Sequence, residues 1–243
     1  MNNKIVVIPT FNEIENIENI IRKTFSVFDT HILIVDDGSP DGTGLKVKEL
    51  MLEFPEKLFI QERKGKLGLG TAYLHGFSWA LDRGYEYIFE MDADFSHNPE
   101  DLSRLYQACV DGADLAIGSR YCNGVNVLNW PMSRLLMSYY GSMYVRFVLK
   151  IPVMDTTAGF KCFKASTLRA IDFSKIQHIG YGFQIEMKFN VHKLGFKIKE
   201  VPIIFVDRTL GTSKMSAGIF KEAILGVLGL KWKSYFRKWS RKQ

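Results

Sequence analysis

Hydrophobic positions along the chain switch between a period of two and a period of about 3.6, and the switches mark out the elements. Short aromatic or β-branched runs at residues 4–8, 31–35, 58–61, 85–89 and 114–117 read as buried strands. Between them apolar residues recur at helical spacing, first Ile14, Ile17, Ile20, Ile21 and Phe25, then Leu45, Val47, Leu50, Met51 and Phe54. A glycine-rich loop at residues 65–70 opens a third helix that runs to Asp82. Asn98-Pro99-Glu100-Asp101 starts a fourth, with Asn as cap, Pro at the first helical position and acids in the first turn. Five alternations of strand and helix predict a parallel, doubly wound sheet.

Beyond Arg120 the rhythm changes. Residues 133–150 form a long, aromatic and Met-rich helix, and residues 155–160 a loop that enters a short strand. A helix over 181–194 follows, then a strand over 197–206 in which Pro202 marks an edge or a bulge. Residues 219–235 form a last amphipathic helix.

Four of the predicted strands run out into polar segments. Strand one ends in Pro9-Thr10-Phe11-Asn12-Glu13, and strand two in Asp36-Asp37-Gly38-Ser39-Pro40-Asp41-Gly42-Thr43. Strand four ends in Asp92-Ala93-Asp94, and strand five in Gly118-Ser119-Arg120. In a parallel sheet all four lie at the carboxyl edge, where open α/β sheets bind ligands. Two carboxylates at the end of a buried strand repel each other unless a cation or hydrogen-bond donors sit between them. Hard oxygen ligands that leave positions open suit Mg²⁺ or Mn²⁺ held jointly with substrate phosphates. An isolated acid pair would more often only cap a loop; four polar motifs on one edge favour a ligand site. The loop Gly65-Lys66-Leu67-Gly68-Leu69-Gly70 has neither the residue order of a P-loop nor the position of a dinucleotide fingerprint. Gly68 and Gly70 let backbone approach a ligand, or simply make the turn.

The length of 243 residues fits one large domain, or a domain with an appendage. Cys109, Cys122 and Cys162 are scattered, which argues against a disulfide framework or a zinc site and fits a reducing compartment. The histidines show no metal-ligand spacing, so His97 reads as a polar loop residue. The formal net charge of +6 has one address: Lys231, Lys233, Arg237, Lys238, Arg241 and Lys242, with no acid beside them. The body is therefore neutral, which counts against a nucleic-acid surface. No secretory signal pattern opens the chain, and the longest uncharged helical stretches fall well short of the roughly 20 residues a membrane span needs. The tail cations interleave with Trp232, Tyr235, Phe236 and Trp239, after an apolar run of Ile219, Ala223, Leu225, Leu228 and Leu230. Such a segment lies on an anionic membrane surface. A solvated tail, or a contact with a membrane-spanning partner, remains the alternative.

Taken together, the motifs resemble the donor-binding motifs of glycosyltransferase family 2, with its GT-A fold. Leu67-Gly68-Leu69-Gly70-Thr71-Ala72-Tyr73, Gly118-Ser119-Arg120-Tyr121, Phe183-Gln184-Ile185-Glu186-Met187, and Val206-Asp207-Arg208 followed by Gly211-Thr212-Ser213-Lys214 narrow the match. Over residues 4–215 the chain resembles the dolichyl- or polyprenyl-phosphate mannosyltransferases, in the short form without an appended transmembrane domain. The resemblance implies an α/β fold, a mostly parallel central sheet flanked by helices in a domain of residues 1–215. Residues 216–243 would form the helix and tail that meet a membrane, placing the enzyme on its cytoplasmic face.

The implied reaction is inverting transfer of mannose from GDP-mannose to a polyprenyl monophosphate, with Mg²⁺ or Mn²⁺. Pro9, Phe11, Glu13, Val35 and Asp37 would line the guanosine pocket. Asp92, Ala93 and Asp94 would hold the metal–diphosphate, with the two acids as ligands, and Arg120 would lie near the transferring sugar. Arg208 and Lys214 would close over the diphosphate, Arg208 counting with Asp92, Asp94 and Arg120 as catalytic. Arg134, with Ser138 one turn on, would receive the lipid phosphate; an arginine on so apolar a helix could instead merely reach for solvent. Phe11 stands where the family usually has Tyr, and Ser96 where some relatives have Gln, which leaves a third metal contact open.

The chemistry is coherent without the family. Negative charge accumulates on a departing nucleoside diphosphate, and a divalent cation with Arg and Lys donors stabilises it. A phosphate acceptor is mostly dianionic at neutral pH and needs positioning rather than a general base. Glu186 is the one candidate base, or else a helix acid paired with Arg208 or Lys188. Competing readings are the same fold with another donor such as UDP-glucose, and a non-catalytic sugar-nucleotide-binding subunit. The second would typically have lost an acid of the pair or the loop cations, all of which are present.

Overall fold

Strand β1 (Lys4–Thr10) is almost wholly buried from Ile5 to Ile8, and its side chains divide strictly by parity. Val6 and Ile8 face one side of the sheet, Ile5 and Val7 the other. The computed structural model describes residues 2–180, 182–207, 217–237 and 239, with side chains in the last helix from residue 225 onward. After β1 come α1 (Ile17–Val27), β2 (His31–Asp36), α2 (Thr43–Glu53), β3 (Leu58–Glu62) and α3 (Leu69–Asp82). Next are β4 (Tyr87–Glu90), α4 (Leu102–Val110), β5 (Leu115–Ser119), β6 (Val127–Leu128), α5 (Met132–Leu149), β7 (Lys161–Lys164) and α6 (Ala165–Ala170). The chain closes with α7 (Gly182–Lys193), β8 (Ile198–Pro202), β9 (Phe205–Val206) and α8 (Ala217–Phe236).

The main sheet runs β3-β2-β1-β4-β7-β5-β8. All its pairs are parallel except those of β7, which lies antiparallel between β4 and β5. The sheet is thus mostly parallel, as the resemblance implied, and β7 is the strand that the plain strand–helix alternation did not foretell. β7 has only four residues, and no periodicity gives a strand's direction. The reversal keeps β4 and β5 parallel, so the polar ends of β1, β2, β4 and β5 do share one edge. It also delivers the loop before β7 to that edge.

One face of the sheet buries Ile17, Ile20 and Ile21 of α1, Val47 and Leu50 of α2, and Leu102 and Leu105 of α4. The other buries Ala72, Tyr73 and Phe77 of α3, Leu168 of α6, and Phe183 and Met187 of α7. Helix α3 comes closest at Gly76, where a Cβ would stand 2.5 Å from Val7 Cγ1. The strand expected over 197–206 is really two. β8 ends at Pro202 on the outermost strand, while β9 leaves the sheet to pair with β6, which the sequence pattern did not announce. A third cluster joins Val145 and Leu149 of α5, Ile185 and Phe189 of α7, and Val227 and Leu230 of α8. The outer side of α5 stays exposed, with Phe147 at 84%. Among the described residues no helix is long and apolar enough to cross a membrane.

Candidate active site

The loops after β1 and β2 are sewn to one another by backbone donors. Asn12 N–H donates to Ser39 Oγ (2.9 Å), Glu13 N–H to Thr43 Oγ1 (3.0 Å) and Ile14 N–H to Asp41 Oδ2 (3.1 Å). Asn12 turns the corner in the left-handed region at φ 59°. Burial disfavours the charge on Asp41, but bonds from Thr43 and Ile14 outweigh it and hold the carboxyl below its ordinary range. Asp36 accepts from Thr10 and Ser39, while Asp37 accepts from Arg63 Nε at 2.6 Å. Arg63 in turn donates to Thr71 Oγ1 (2.9 Å) at the start of α3. Phe11 lies under Lys66 Nζ, 5.0 Å from the ring centre, and Pro9 is half-buried. Val35, by contrast, packs wholly into the core beneath α3.

Asp92 and Asp94 follow β4 and enter the neighbouring part of the same edge. Tyr73, buried in α3, donates its hydroxyl to Asp92 Oδ1 (3.2 Å), and Asp92 N–H donates to His97 Nδ1 (3.2 Å). That bond leaves the ring proton of His97 on Nε2. Burial lowers the pKa of His97 although Asp92 and Asp94 pull it upward, so the ring is neutral, stacked on Phe160 with centroids 5.0 Å apart. His97 is therefore not the polar loop residue expected but a buried ring that holds the acid loop. Ser96 N–H closes the loop onto Asp94 Oδ1 (3.1 Å), with Phe95 left-handed at φ 59°.

Arg120, at the end of β5, is buried and clamped by the loop before β7. Its Nε and Nη2 reach Asp155 at 2.7 and 2.6 Å, and Nη2 also reaches Thr157 Oγ1 at 2.7 Å. Burial opposes both charges of the pair; the mutual attraction wins, raising the pKa of Arg120 and lowering that of Asp155. Arg134, in the first turn of α5, donates to both Asp207 carboxylate oxygens (2.7 and 2.8 Å) and lies over Trp130, 4.2 Å from its ring centre. It is partly buried in the cleft rather than extended to solvent. Ser138 accepts from Tyr121 (2.7 Å).

These groups line one cleft of about 210 Å³. Asp92, Asp94, Arg120, Arg134 and Ser138 all face it, and beyond them the lining turns apolar at Met137, Tyr144, Val145, Ile185 and Val227. The first two motifs form the adjoining end of the same edge but do not line this cleft. Ala93 is buried in the core, with its acids on either side. Arg208 and Lys214 fall outside the described residues.

Two further expectations are corrected. Glu186 is neither a base facing the cleft nor a partner of Lys188. It is buried and accepts from Gln177 N–H (3.0 Å), His178 N–H (2.9 Å) and the His178 ring (2.8 Å), clamping the segment before α7. Lys188 is spent on the carbonyls of Thr156 and Ala158. Gly68 and Gly70 make room for that clamped segment rather than for a ligand: a Cβ at Gly70 would stand 2.8 Å from the Phe183 ring. Tyr73, His97, Asp155 and Gln184 are cleft residues or their anchors to which no site role was assigned from sequence, although Tyr73 and Gln184 lie within quoted motifs. The signal for Asp155 was there, as the only acid of the polar loop before β7.

Residues 5–172 match the family Glycosyl transferase family 2. A polyprenol monophosphomannose synthase of Mycolicibacterium smegmatis is 48% identical over 224 residues, spanning 92% of this chain and 84% of that protein. An undecaprenyl-phosphate mannosyltransferase of Micrococcus luteus is also 48% identical over 224 residues, spanning 92% and 91%. Among solved structures, S. aureus TarS 1-349 superposes with a TM-score of 0.57 at 14% identity, covering 96% of this chain and 72% of that one. GalNAc-T7 with UDP, GalNAc and Mn²⁺ superposes with a TM-score of 0.58 at 14% identity, covering 88% and 45%. At such low identity the two structures speak for the fold alone.

Proposed function

The chain belongs to glycosyl transferase family 2, and from that footing we propose that it transfers mannose from GDP-mannose to a polyprenyl monophosphate, inverting the anomeric carbon. The observation that carries this reading is the two-part lining of the cleft. Its acid pair and two arginines suit a diphosphate and a phosphate, and its apolar end suits an isoprenoid chain. The names of the two relatives, at 48% identity, agree with that division.

Asp92 and Asp94 supply hard carboxylate oxygens, and among the described residues no three His, Cys, Asp or Glu side chains form a metal cage of their own. Two carboxylates that leave the other positions to substrate oxygens and water fit Mg²⁺ or Mn²⁺. Bound there, the cation would offset the charge that builds on the departing nucleoside diphosphate. Tyr73 and His97 fix Asp92 from two sides, so its carboxylate stays aimed at the cleft. Arg120, preset by Asp155, adds a cation that need not reorganise during transfer. Arg134 and Ser138 bind the acceptor phosphate, one of whose oxygens bonds to the anomeric carbon as the bond to the diphosphate breaks. No proton moves in that exchange, in keeping with Glu186 being committed to the fold. Pro9, Phe11, Glu13 and Asp37 would hold the guanosine at the stitched loops, and Arg208 and Lys214 would close over its diphosphate.

We also read residues 1–215 as the transferase domain and 216–243 as its membrane contact. Leu225, Leu228, Trp232, Tyr235 and Phe236 of α8 are exposed, as are Tyr140, Met143 and Phe147 of α5. Leu230 and Trp239, expected on that surface, pack on the body instead, and Lys233 donates to Gln177. Ile219 and Ala223, as side chains, and Lys238, Arg241 and Lys242 lie outside the described residues. The free cysteines fit the cytoplasmic face, where sugar-nucleotide donors are met. The test is to incubate the purified protein with polyprenyl phosphate and a panel of labelled sugar nucleotides, with and without Mn²⁺. Metal-dependent labelling of lipid from GDP-mannose supports the reading; labelling only from another donor, such as UDP-glucose, replaces it.

A further inference from the structure

Behind the acid pair lies a charged cluster that the transfer reaction, as derived so far, leaves idle. Glu90, the last residue of β4, faces Lys161, the first of β7, across the antiparallel register. Both are 0% exposed, with Lys161 Nζ 3.1 Å from Glu90 Oε2. Burying two charges costs several kcal/mol per ion, which attraction offsets only when further hydrogen bonds complete the geometry. Replacing such a pair by apolar residues is often neutral or stabilising, so its presence calls for a use.

Gln184, on α7, bridges the pair, although Glu90 Oε1 is left without a hydrogen-bond partner. Its Nε2 donates to Glu90 Oε2 at 2.8 Å, and its Oε1 accepts from Lys161 Nζ. A side-chain amide can ordinarily turn over and exchange its oxygen and nitrogen. Here a cation on one side and a carboxylate on the other permit one orientation only. Lys188 steadies the backbone around it, donating to the carbonyls of Thr156 and Ala158. Gln184 is 4% exposed, and that surface lies in the cleft. A Cβ placed on Gly159 would be 3.5 Å from His97 Cε1, 3.6 Å from Gln184 Nε2 and 3.8 Å from Asp92 Oδ2, so the amide and the Asp92 carboxylate flank the same glycine, where no side chain stands.

One Nε2 hydrogen is spent on Glu90, and no described residue accepts the second. We propose that Gln184 contacts the substrate, donating this fixed N–H to one hydroxyl of the transferring sugar, with Glu90 and Lys161 as its positioning residues. This rests on the glycosyl-transfer reading above. A neutral amide suits a hydroxyl, whereas the cleft's arginines suit phosphate. Its place next to Asp92 is where the sugar linked to a metal-held diphosphate must lie.

The experiment measures kcat/KM for GDP-mannose and its monodeoxy analogues with wild type, Gln184→Met, which keeps the volume, and Gln184→Asn, which withdraws the amide by one methylene. Gln184→Met should lower kcat/KM for GDP-mannose about tenfold, the order expected for one lost hydrogen bond. For one monodeoxy donor, the one lacking the contacted hydroxyl, wild type and variant should agree within about twofold, as in a double-mutant cycle. Gln184→Asn should show the same pattern, which keeps the test open if the Met variant does not fold. A variant penalty equal for all donors would mean a purely structural role and overturn the inference. Wild type that transfers nothing from GDP-mannose overturns the donor reading itself, a result seen without any variant.

Discussion

Arg134 shows how far a single residue can be read from sequence and where that reading stops. An arginine on an apolar helix could bind a phosphate or merely reach for water, and spacing alone left both open. The structure finds it in the cleft, seated on Trp130 and bonded to Asp207. The second partner lies far along the chain, so no local pattern could show it. An acceptor phosphate bound there, as proposed above, would share Arg134 with Asp207, which sets the expected phenotype. Arg134→Ala should raise the KM for polyprenyl phosphate at least tenfold while donor binding, measured by calorimetry with GDP, changes less than about twofold. Equal weakening of both would assign Arg134 to the donor. Asp92, Asp94 and Arg120 were legible because each sits in a short motif after a strand. Tyr73 and His97 were not, because their roles exist only through contacts with those motifs, and Asp155 showed only as the one acid of its loop, without its partner Arg120.

Helix α3 carries two conflicting demands, and packing decides between them. Gly76 weakens a helix interior by roughly 1 kcal/mol relative to Ala. Yet its missing Cβ lets the helix rest on β1, where a methyl would meet Val7 Cγ1 at 2.5 Å. Overpacking a buried contact costs about 1–3 kcal/mol, so Gly76→Ala should destabilise the protein despite its better propensity. Chemical denaturation checks this, and a higher midpoint for the variant would refute it. The long periodic elements were legible to within a residue or two: α5 was expected over 133–150 and spans Met132–Leu149. What the pattern missed were β7's direction and the β6–β9 ribbon, since strands of four and two residues are set by tertiary contacts rather than by period.

At the scale of the whole molecule, a neutral α/β body is followed along the sequence by a helix with exposed apolar residues and a cation-rich tail. The GT-A architecture expected from the motifs holds, because the four polar strand ends converge as the alternation required. The tail was only partly legible: apolar residues were visible in the sequence, but not which of them, such as Leu230, the body itself would cover. Each cation near an anionic surface contributes about 1 kcal/mol, so a chain cut after Leu230 should float with anionic liposomes at least tenfold less well than the full chain at low salt. High salt should erase the difference. Equal flotation of both forms would leave docking to the apolar faces, or to a membrane partner. All of this serves one claim, that the acid pair after β4 drives sugar transfer to a lipid phosphate. The most direct test is the initial rate of label transfer from GDP-mannose into polyprenyl phosphate by wild type and by Asp94→Asn, which keeps shape and removes charge. The variant should melt like wild type and transfer at least 100-fold more slowly, the order expected when charge stabilisation of a leaving group is lost; a folded variant working at the wild-type rate, or wild type fully active in excess EDTA, would contradict the account.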